Sequence, residues 1–207
     1  MKVLLINGSP HINGCTHFAL SEARKELQNT QIETEILHIG NDPIRGCTAC
    51  QKCRTLDNKC TFDDDIVNII LEKAKSSDGF IFGSPVYYSS ANGSLVSALD
   101  RVFYAGNCFS YKPGACIVSA RRAGTTSTID QLNKYFSISN MPIVSSQYWA
   151  MVHGLTPEDV KKDLEGLQTV RVLAKNMAWL LKSIDAGKKS GIIIPPPEER
   201  MMTNFIS

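Results

Sequence analysis

The chain has 207 residues, of which 43% are hydrophobic and 20% are charged, a composition typical of a folded globular domain and unlike that of a disordered chain. Lys and Arg number 22 against 20 Asp and Glu, a formal net charge of +2, so no strong field of one sign exists to bind nucleic acid or an anionic membrane. The first apolar run, residues 3–6, is too short for a signal peptide or a membrane span. We therefore expect a cytoplasmic protein that acts on small molecules.

Strand-like and helix-like patterns alternate along the chain. Continuous apolar runs bounded by Gly, Ser and Pro indicate buried strands, and apolar residues three or four apart indicate amphipathic helices. The alternation predicts an α/β sandwich, with a five-stranded parallel sheet, right-handed crossovers and helices on both faces. The predicted strands are residues 3–6, 31–39, 79–83, 115–118 and 143–149, and the predicted helices are residues 16–27, 66–74, 92–103, 125–138 and one from Thr156 to about Gly187.

The boundaries of these elements predict one domain and a tail. Residues 1–189 form the domain, with an irregular segment at residues 40–62 inserted after the second strand, and residues 190–207 form the C-terminal tail. The tail carries Met201, Met202, Phe205 and Ile206 but no helix to bury them. Because apolar side chains of this size are rarely left in water together, we expect a homodimer or a homotetramer.

Three loops with chemically useful residues follow the first, third and fourth predicted strands. They are residues 8–16, 84–92 and 119–125. In a parallel sheet of this kind, ligands bind at the carboxyl ends of the strands. All three loops open at that edge, so one ligand can contact all of them.

The first loop has the features of an anion site. Hydroxyls at Ser9 and Thr16 lie beside the N-terminus of the first helix, where free backbone N–H groups favour a phosphate. The loop contains neither GxGxxG nor GK[ST], so it favours a terminal monophosphate over a dinucleotide or a nucleoside triphosphate. The alternative is a tight strand-to-helix turn made of small residues.

The other two loops suit a flat aromatic ligand. Tyr87 and Tyr88 offer ring faces for stacking, and Arg121 and Arg122 offer donors for ring oxygens or for the phosphates of a second substrate. The alternatives are tyrosines that cover the edge of the core and arginines that are solvated surface charges.

Together these loops resemble a known family. GSPxxxGxT after the first strand, GSPVYYxxxNGxLxxxLDR after the third and SARRAGTT after the fourth are similar to the NAD(P)H-dependent FMN reductases of the flavodoxin-like fold, over residues 1 to about 189. The resemblance implies FMN as cofactor and NAD(P)H as co-substrate. Because the flavin supplies the electronic chemistry, hydride transfer itself demands no acid–base side chain, and we expect no catalytic residue. The FMN-binding residues that it implies are Ser9, His11, Asn13, Cys15 and Thr16 for the phosphate, Pro85, Val86, Tyr87 and Tyr88 for the ring, and Ser119, Ala120, Arg121 and Gly124 for the pyrimidine edge.

Four of the seven cysteines lie in one short segment. Cys47, Cys50, Cys53 and Cys60 form the pattern C-x2-C-x2-C-x6-C. In a reducing compartment such a cluster indicates metal binding or redox activity before disulfides. The motif resembles that of the iron–sulfur flavoproteins within the same family, which implies a [4Fe-4S] cluster beside FMN. A zinc site and reduced thiols without metal are the alternatives.

These features predict an oxidoreductase. Electrons would pass from NAD(P)H through FMN to a small-molecule acceptor such as a quinone, an azo or nitro compound or free flavin, or to the cluster. The first alternative is a flavodoxin-type or iron–sulfur flavoprotein electron carrier that serves a protein partner, against which the net charge of +2 argues because such carriers are commonly acidic. The second alternative is a metal-dependent redox sensor that uses the thiols.

Overall fold

The computed structural model describes residues 1–199 and 201–205, and it shows strands and helices in alternation along the chain. Ile206, named among the apolar residues of the tail, lies outside the described residues. A single 3₁₀ turn, Lys52–Arg54, interrupts the irregular segment after the second strand. The strands are β1 Lys2–Asn7, β2 Glu33–His38, β3 Gly79–Tyr87, β4 Ser90–Ala91, β5 Gly114–Ala120 and β6 Met151–His153, and the helices are α1 Cys15–Asn29, α2 Val67–Lys75, α3 Gly93–Ala105, α4 Thr125–Ile138, α5 Pro157–Val160 and α6 Leu164–Lys189.

The sheet has the predicted five parallel strands and one short additional strand. The parallel strands lie in the order β2-β1-β3-β5-β6, and β4 pairs with β3 in the antiparallel sense. This is the doubly wound order of flavodoxin-like proteins, in which successive strands are added on one side of β1 and then on the other, so the order reverses between β1 and β3. The prediction of a flavodoxin-like sandwich is therefore confirmed, and the β1–β3 boundary marks where a ligand is expected.

Side chains of the central strands alternate between two cores. Leu4, Ile6 and Phe82 point to the core under α2, α3 and α4, whereas Val3 and Leu5 point to the core under α1, α5 and α6. Because both faces are covered by helices, these strands are apolar at every position rather than at every second one. The continuous apolar runs in the sequence have this cause.

The structure corrects the prediction for the fifth strand. Residues 143–149 make only an isolated bridge, between Ile143 and Gly114, and the fifth parallel strand is the shorter β6 at Met151–His153. In between, the chain turns towards α6, where the side chain of Asn176 donates to the carbonyl of Ser145 (2.9 Å). Only the start of this segment therefore pairs with the sheet, where Val144 N donates to the carbonyl of Gly114 (2.8 Å), and the residues after it line a cavity and contact α6.

The structure also divides the last predicted helix in two. Thr156 does cap a helix, with the predicted proline at its first position, but that helix is the four-residue α5. The carboxylate of Asp163 accepts hydrogen bonds from Gly166 N (2.9 Å) and His153 N (2.7 Å), so it caps α6 and ties it to the end of β6. None of the helices in the described residues is long and apolar enough to cross a membrane.

Candidate functional site

A cleft of about 410 Å³ opens at the carboxyl edge of the sheet. All three predicted loops line it, because β1, β3 and β5 are adjacent parallel strands and end at the same edge. The predicted ligand residues that line this cleft are Ser9, His11, Cys15, Thr16, Pro85, Val86, Tyr87, Ser119, Ala120 and Arg121.

The first loop is held in shape by buried polar groups. The buried side chain of Asn7 accepts a hydrogen bond from Ser9 N (3.1 Å), and Ser9 Oγ accepts one from His11 N (3.1 Å). From the neighbouring strand, His38 Nε2 donates to the carbonyl of Ser9 (2.8 Å). Sequence reasoning treated His38 only as a strand residue, although its place at the end of β2 puts it next to the end of β1.

The loop delivers the N-terminus of α1 to the floor of the cleft. Gly14 is the residue before the helix, and no side chain in the described part of the chain caps its first turn. The first N–H groups of α1 are thus available to an anion, with the positive end of the helix dipole behind them. Thr16 Oγ1 lies 2.8 Å from Ser119 Oγ, which joins this loop to the end of β5.

Cys15 and His17 in the first turn of α1 are both uncharged at neutral pH. Burial raises the pKa of the Cys15 thiol, so it adds no negative charge beside a bound anion. Burial, together with the nearby His38, lowers the pKa of His17. His17 Nδ1 is buried and without a hydrogen-bond partner among the described residues.

The second wall of the cleft comes from the end of β3. This strand extends to Tyr87, four residues beyond its predicted end, because β4 pairs with it through Val86 and Tyr87. The Tyr87 side chain is 44% exposed, and partial burial raises its pKa, so the hydroxyl stays protonated. An aromatic face half in the cleft and half in water suits stacking against a flat ligand.

Three predicted contact residues lie elsewhere around the cleft. Asn13 is exposed on the first loop. Tyr88 occupies the tip of the β3–β4 turn with φ of 57° and is fully exposed. Gly124, with φ of +87°, packs against the turn, and a Cβ there would lie 2.8 Å from Val86 Cγ1. Gly124 therefore permits the close approach of two site loops.

Sequence reasoning missed a fourth wall, residues 154–157. Gly154, Leu155, Thr156 and Pro157 line the cleft, and Gly154 N donates to the carbonyl of Ala120 (3.0 Å). The helix start predicted at Thr156 was a signal for this wall. The loop between the last strand and that helix must lie at the same carboxyl edge as the other three loops.

Asn92 was also missed as a site residue. Its Nδ2 donates to the carbonyl of Gly8 (2.7 Å), and its backbone N–H donates to Ser84 Oγ (3.0 Å). It also caps α3 by accepting a hydrogen bond from Ser94 N (3.3 Å). A single buried side chain thus fixes the first loop, the second loop and the start of α3 relative to one another.

The four clustered cysteines line a second, much smaller pocket of about 20 Å³. All four are free thiols; Cys47 and Cys50 are exposed, and Cys53 and Cys60 are partly buried. A hydrogen bond from the backbone of Lys52 lowers the pKa of Cys50. Four thiols around one pocket match the ligand preference of an iron–sulfur cluster and of zinc, but no three metal-ligating side chains in the described residues are placed at coordinating geometry.

A buried arginine holds the cysteine segment against α3. The Arg101 side chain is 1% exposed and pairs with Asp65, whose side chain is 2% exposed. Its Nε donates to Cys60 Sγ (3.2 Å), and its remaining donors reach the carbonyls of Arg45 (3.2 Å) and Phe62 (3.0 Å). One guanidinium therefore binds the segment at three points and Asp65, just before α2, at a fourth.

The cysteine pocket is separate from the cleft. Asn92, at the start of α3, contacts the first loop, whereas Arg101 and Tyr104 line the cysteine pocket. At 1.5 Å per residue, Arg101 lies about 13 Å further along the helix. A ligand in the cleft and a metal group held by the thiols would therefore not share contact residues within one chain.

Comparison with known proteins bears on the family and the fold of this chain. Residues 1–156 match the family described as NADPH-dependent FMN reductase. The chain is 34% identical to an iron–sulfur flavoprotein of Methanocaldococcus jannaschii, over 89% of this chain and 99% of that protein. It is 29% identical to an iron–sulfur flavoprotein of Methanosarcina thermophila, over 91% of this chain and 99% of that protein.

A solved structure shows the same fold at low identity. The NAD(P)H:quinone oxidoreductase of Methanothermobacter marburgensis superposes with a TM-score of 0.60 over 86% of this chain and 96% of that one, at 14% identity. At this identity the match bears on the fold alone.

Proposed function

Because this chain belongs to the NADPH-dependent FMN reductase family, we propose that it is an oxidoreductase that uses FMN to pass electrons from NADH or NADPH to a second acceptor. The family and the related flavoproteins make it a flavin-dependent oxidoreductase. The observation that carries the finer proposal is the cleft itself, where an uncapped helix N-terminus and an apolar, aromatic wall meet at the switch point of the sheet.

The residues of the cleft fit FMN at both ends. The N–H groups of α1 and the hydroxyls of Ser9 and Thr16 would bind the phosphate. Val86 and Tyr87 would contact the ring, and the end of β5 at Ser119 and Arg121 would contact its polar edge. Bound FMN would supply the electron chemistry, accepting a hydride from a nicotinamide and releasing two electrons to an acceptor.

The rim of the cleft leaves room for a second substrate. Tyr87 is 44% exposed and Leu155 is 72% exposed, and both line the cleft. A nicotinamide and a flat acceptor such as a quinone, an azo or nitro compound or free flavin could therefore bind there in turn. Arg121, also exposed at the rim, would attract the phosphates of the dinucleotide.

We further propose that Cys47, Cys50, Cys53 and Cys60 hold a [4Fe-4S] cluster. Two observations support this, namely the four thiols around one pocket and the relatives named iron–sulfur flavoproteins. Zinc or free thiols remain the competing states. The exposure of Cys47 and Cys50 favours a second candidate function, an electron carrier that hands electrons to a protein partner at that surface.

Flavin titration tests the role of the first loop. Thr16→Val removes one charge-assisted hydrogen bond, so we expect FMN to bind about 10-fold more weakly, while riboflavin, which lacks the phosphate, binds as before. Ser110→Ala, at an exposed serine far from the cleft, is the matched control. Equal loss for both flavins would refute the phosphate assignment.

Anaerobic reduction and metal analysis test the reaction and the cluster. NADH or NADPH should bleach the FMN-loaded protein, and a quinone should restore its colour; reduction by a ferredoxin-like protein alone would favour the carrier. Anaerobically prepared protein should hold iron and sulfide at about four each per chain. Cys50→Ser should remove the iron and leave FMN bound, whereas zinc in its place would make the segment structural.

A further inference from the structure

The hydrogen-bond ladder along the outer edge of β5 has a gap at one residue. Gly114 N donates to the carbonyl of Pro142 (2.9 Å), and Val118 N donates to the carbonyl of Ala150 (3.0 Å). In an extended strand every second residue turns its backbone N–H and C=O to the same side, so Cys116 faces this edge as well. Neither its N–H nor its C=O has a hydrogen-bond partner among the described residues, because the chain between Pro142 and Ala150 leaves the sheet here.

Unpaired backbone groups are costly at this position. Cys116 is 5% exposed, and a buried donor or acceptor that lacks a partner costs about 1–3 kcal/mol. Its own side chain does not compensate, because the thiol donates to the carbonyl of Ile129 (3.9 Å) or to Asn133 Oδ1 (3.5 Å). The backbone donor and acceptor of Cys116 are therefore free to bind another molecule.

The gap opens on a cavity of about 320 Å³ that Cys116 lines. The apolar side chains in its wall are those of Ile129, Ile143, Val144, Ala150 and Leu173. Among the described residues, none that lines the cavity has a charged side chain, and burial raises the pKa of the Cys116 thiol to about 12, so this group is neutral too. A cavity of this size and polarity suits a small uncharged molecule, since burying a charge without a partner is costly.

Two aromatic side chains complete the wall. Tyr148 and Trp149 line the cavity and are 57% and 50% exposed. Their ring centroids are 5.0 Å apart, and the ring planes are inclined at 66°, so neither ring covers the face of the other. An open ring face beside an apolar cavity favours a flat aromatic molecule.

We propose that this cavity is a second binding site, separate from the cleft, for a flat and uncharged cyclic amide. The N–H and C=O of one extended residue lie side by side and point the same way. The carbonyl of a cyclic amide would accept from Cys116 N, and the adjacent N–H of the ligand would donate to the Cys116 carbonyl. The ligand thus replaces the missing strand residue, with main-chain hydrogen bonds giving affinity and the cavity wall giving specificity.

The cavity does not overlap the cleft. Among the described residues, none that lines the cavity also lines the cleft. Along β5, Cys116 precedes Ser119, the first residue of this strand in the cleft, by three residues or about 10 Å. A molecule in the cavity and FMN in the cleft can therefore be bound together, so the proposal does not depend on the proposed function.

Binding of 2-quinolinone, a bicyclic cyclic amide, tests the proposal by titration calorimetry. We expect saturable binding at one site per chain, with the same affinity in the presence and absence of FMN. The matched probe is 1-methyl-2-quinolinone, in which a methyl group replaces the N–H. It should bind at least about 10-fold more weakly, because the carbonyl of Cys116 then has no donor.

Two variants of neighbouring residues on α4 locate the probe. Asn133 lines the cavity, so Asn133→Phe should fill it and abolish binding. Lys134→Phe adds the same side chain at an exposed position and should leave binding unchanged. Thermal unfolding shows whether both variants fold.

Nuclear magnetic resonance of the unaltered chain gives a second measurement, on the backbone group itself. In protein labelled with ¹⁵N-cysteine, the amide signal of Cys116 is assigned by its loss in Cys116→Ser. We expect 2-quinolinone to shift this signal downfield and to slow its exchange with solvent, as a new hydrogen bond requires.

Three results would overturn the proposal. Equal affinity for the two quinolinones would show that the backbone of Cys116 is not the partner. Absence of saturable binding at about 1 mM would mean that ordered water alone satisfies these groups. Binding that survives in folded Asn133→Phe, or that leaves the Cys116 amide signal unmoved, would place the probe elsewhere.

Discussion

Removing the Arg101 guanidinium should destabilise the protein by about 3–5 kcal/mol, because a buried ion pair that loses one partner leaves the other charge without compensation. In Arg101→Met the carboxylate of Asp65 stays at 2% exposure with its main partner gone. The carbonyls of Arg45 and Phe62 lose a donor as well. For a protein with a total stability of 5–15 kcal/mol, this loss is large.

Urea unfolding followed by circular dichroism measures the loss. Arg45→Met is the matched control, because Arg45 and Asp64 form an exposed pair, with side chains 52% and 61% exposed, and such pairs contribute about 1 kcal/mol or less. The double variant Arg101→Met, Asp65→Leu should recover most of the stability, since replacing both members of a buried pair by apolar groups is often nearly neutral.

The damage should be local to the cysteine segment. Cys53 and Cys60, partly buried in the native protein, should react faster with a thiol reagent in Arg101→Met. FMN affinity should change little, because the guanidinium lies about 13 Å along α3 from the residue that contacts the first loop. A loss below 1.5 kcal/mol, or a double variant no more stable than the single one, would refute the reasoning.

Three further predictions concern the first loop, helix α1 and the tyrosines beside the cleft. Gly8→Ala should destabilise the protein by about 1–3 kcal/mol and weaken FMN binding, because its Cβ would lie 2.6 Å from Leu95 Cδ2 and 2.7 Å from the carbonyl of Gly83; an unchanged melting temperature would contradict this. Burial lowers the pKa of native His17, so the unfolded chain binds the proton more readily and the free energy of unfolding should fall as the pH drops below about 6.5. His17→Gln should reduce this pH dependence in urea titrations from pH 7 to pH 5. An unchanged pH dependence would show that His17 is not its source. Tyr87→Ser should weaken FMN binding, whereas Tyr88→Ser, at the fully exposed tip of the turn, should not; equal losses would place both rings on the flavin.

The sequence alone determined the layers of the fold and the edge that carries the site. Apolar runs closed by Gly-Ser-Pro turns, as at residues 3–10 and 80–85, are local signals, because a strand covered on both faces is apolar at every position. Once the strands are parallel, the loops that follow them must meet at one edge. Ser9, Thr16, Val86 and Ser119 could thus be grouped from the sequence, and the structure brings them to one cleft.

Contacts between distant segments were decided only by the tertiary structure. Residues 143–149 have the apolar pattern of a strand, but after the bridge at Ile143 the chain bonds to α6. Ser146 Oγ donates to the carbonyl of Thr169, 23 residues away. His38 and Asn92 support the first loop from 29 and 84 residues away. Pattern and spacing do not encode such pairs.

Arg101 and the cysteines show most clearly which features the sequence predicts and which depend on tertiary packing. The spacing of the four thiols predicted that they gather around one point, and they line one pocket. The cysteines lie beside α3 and away from the cleft because Arg101 binds their segment there. In the sequence, Arg101 is one residue of an ordinary amphipathic helix. Only packing puts that charge out of water, where its donors must find Asp65, Cys60 and two backbone carbonyls, because a buried charge without partners would not be tolerated.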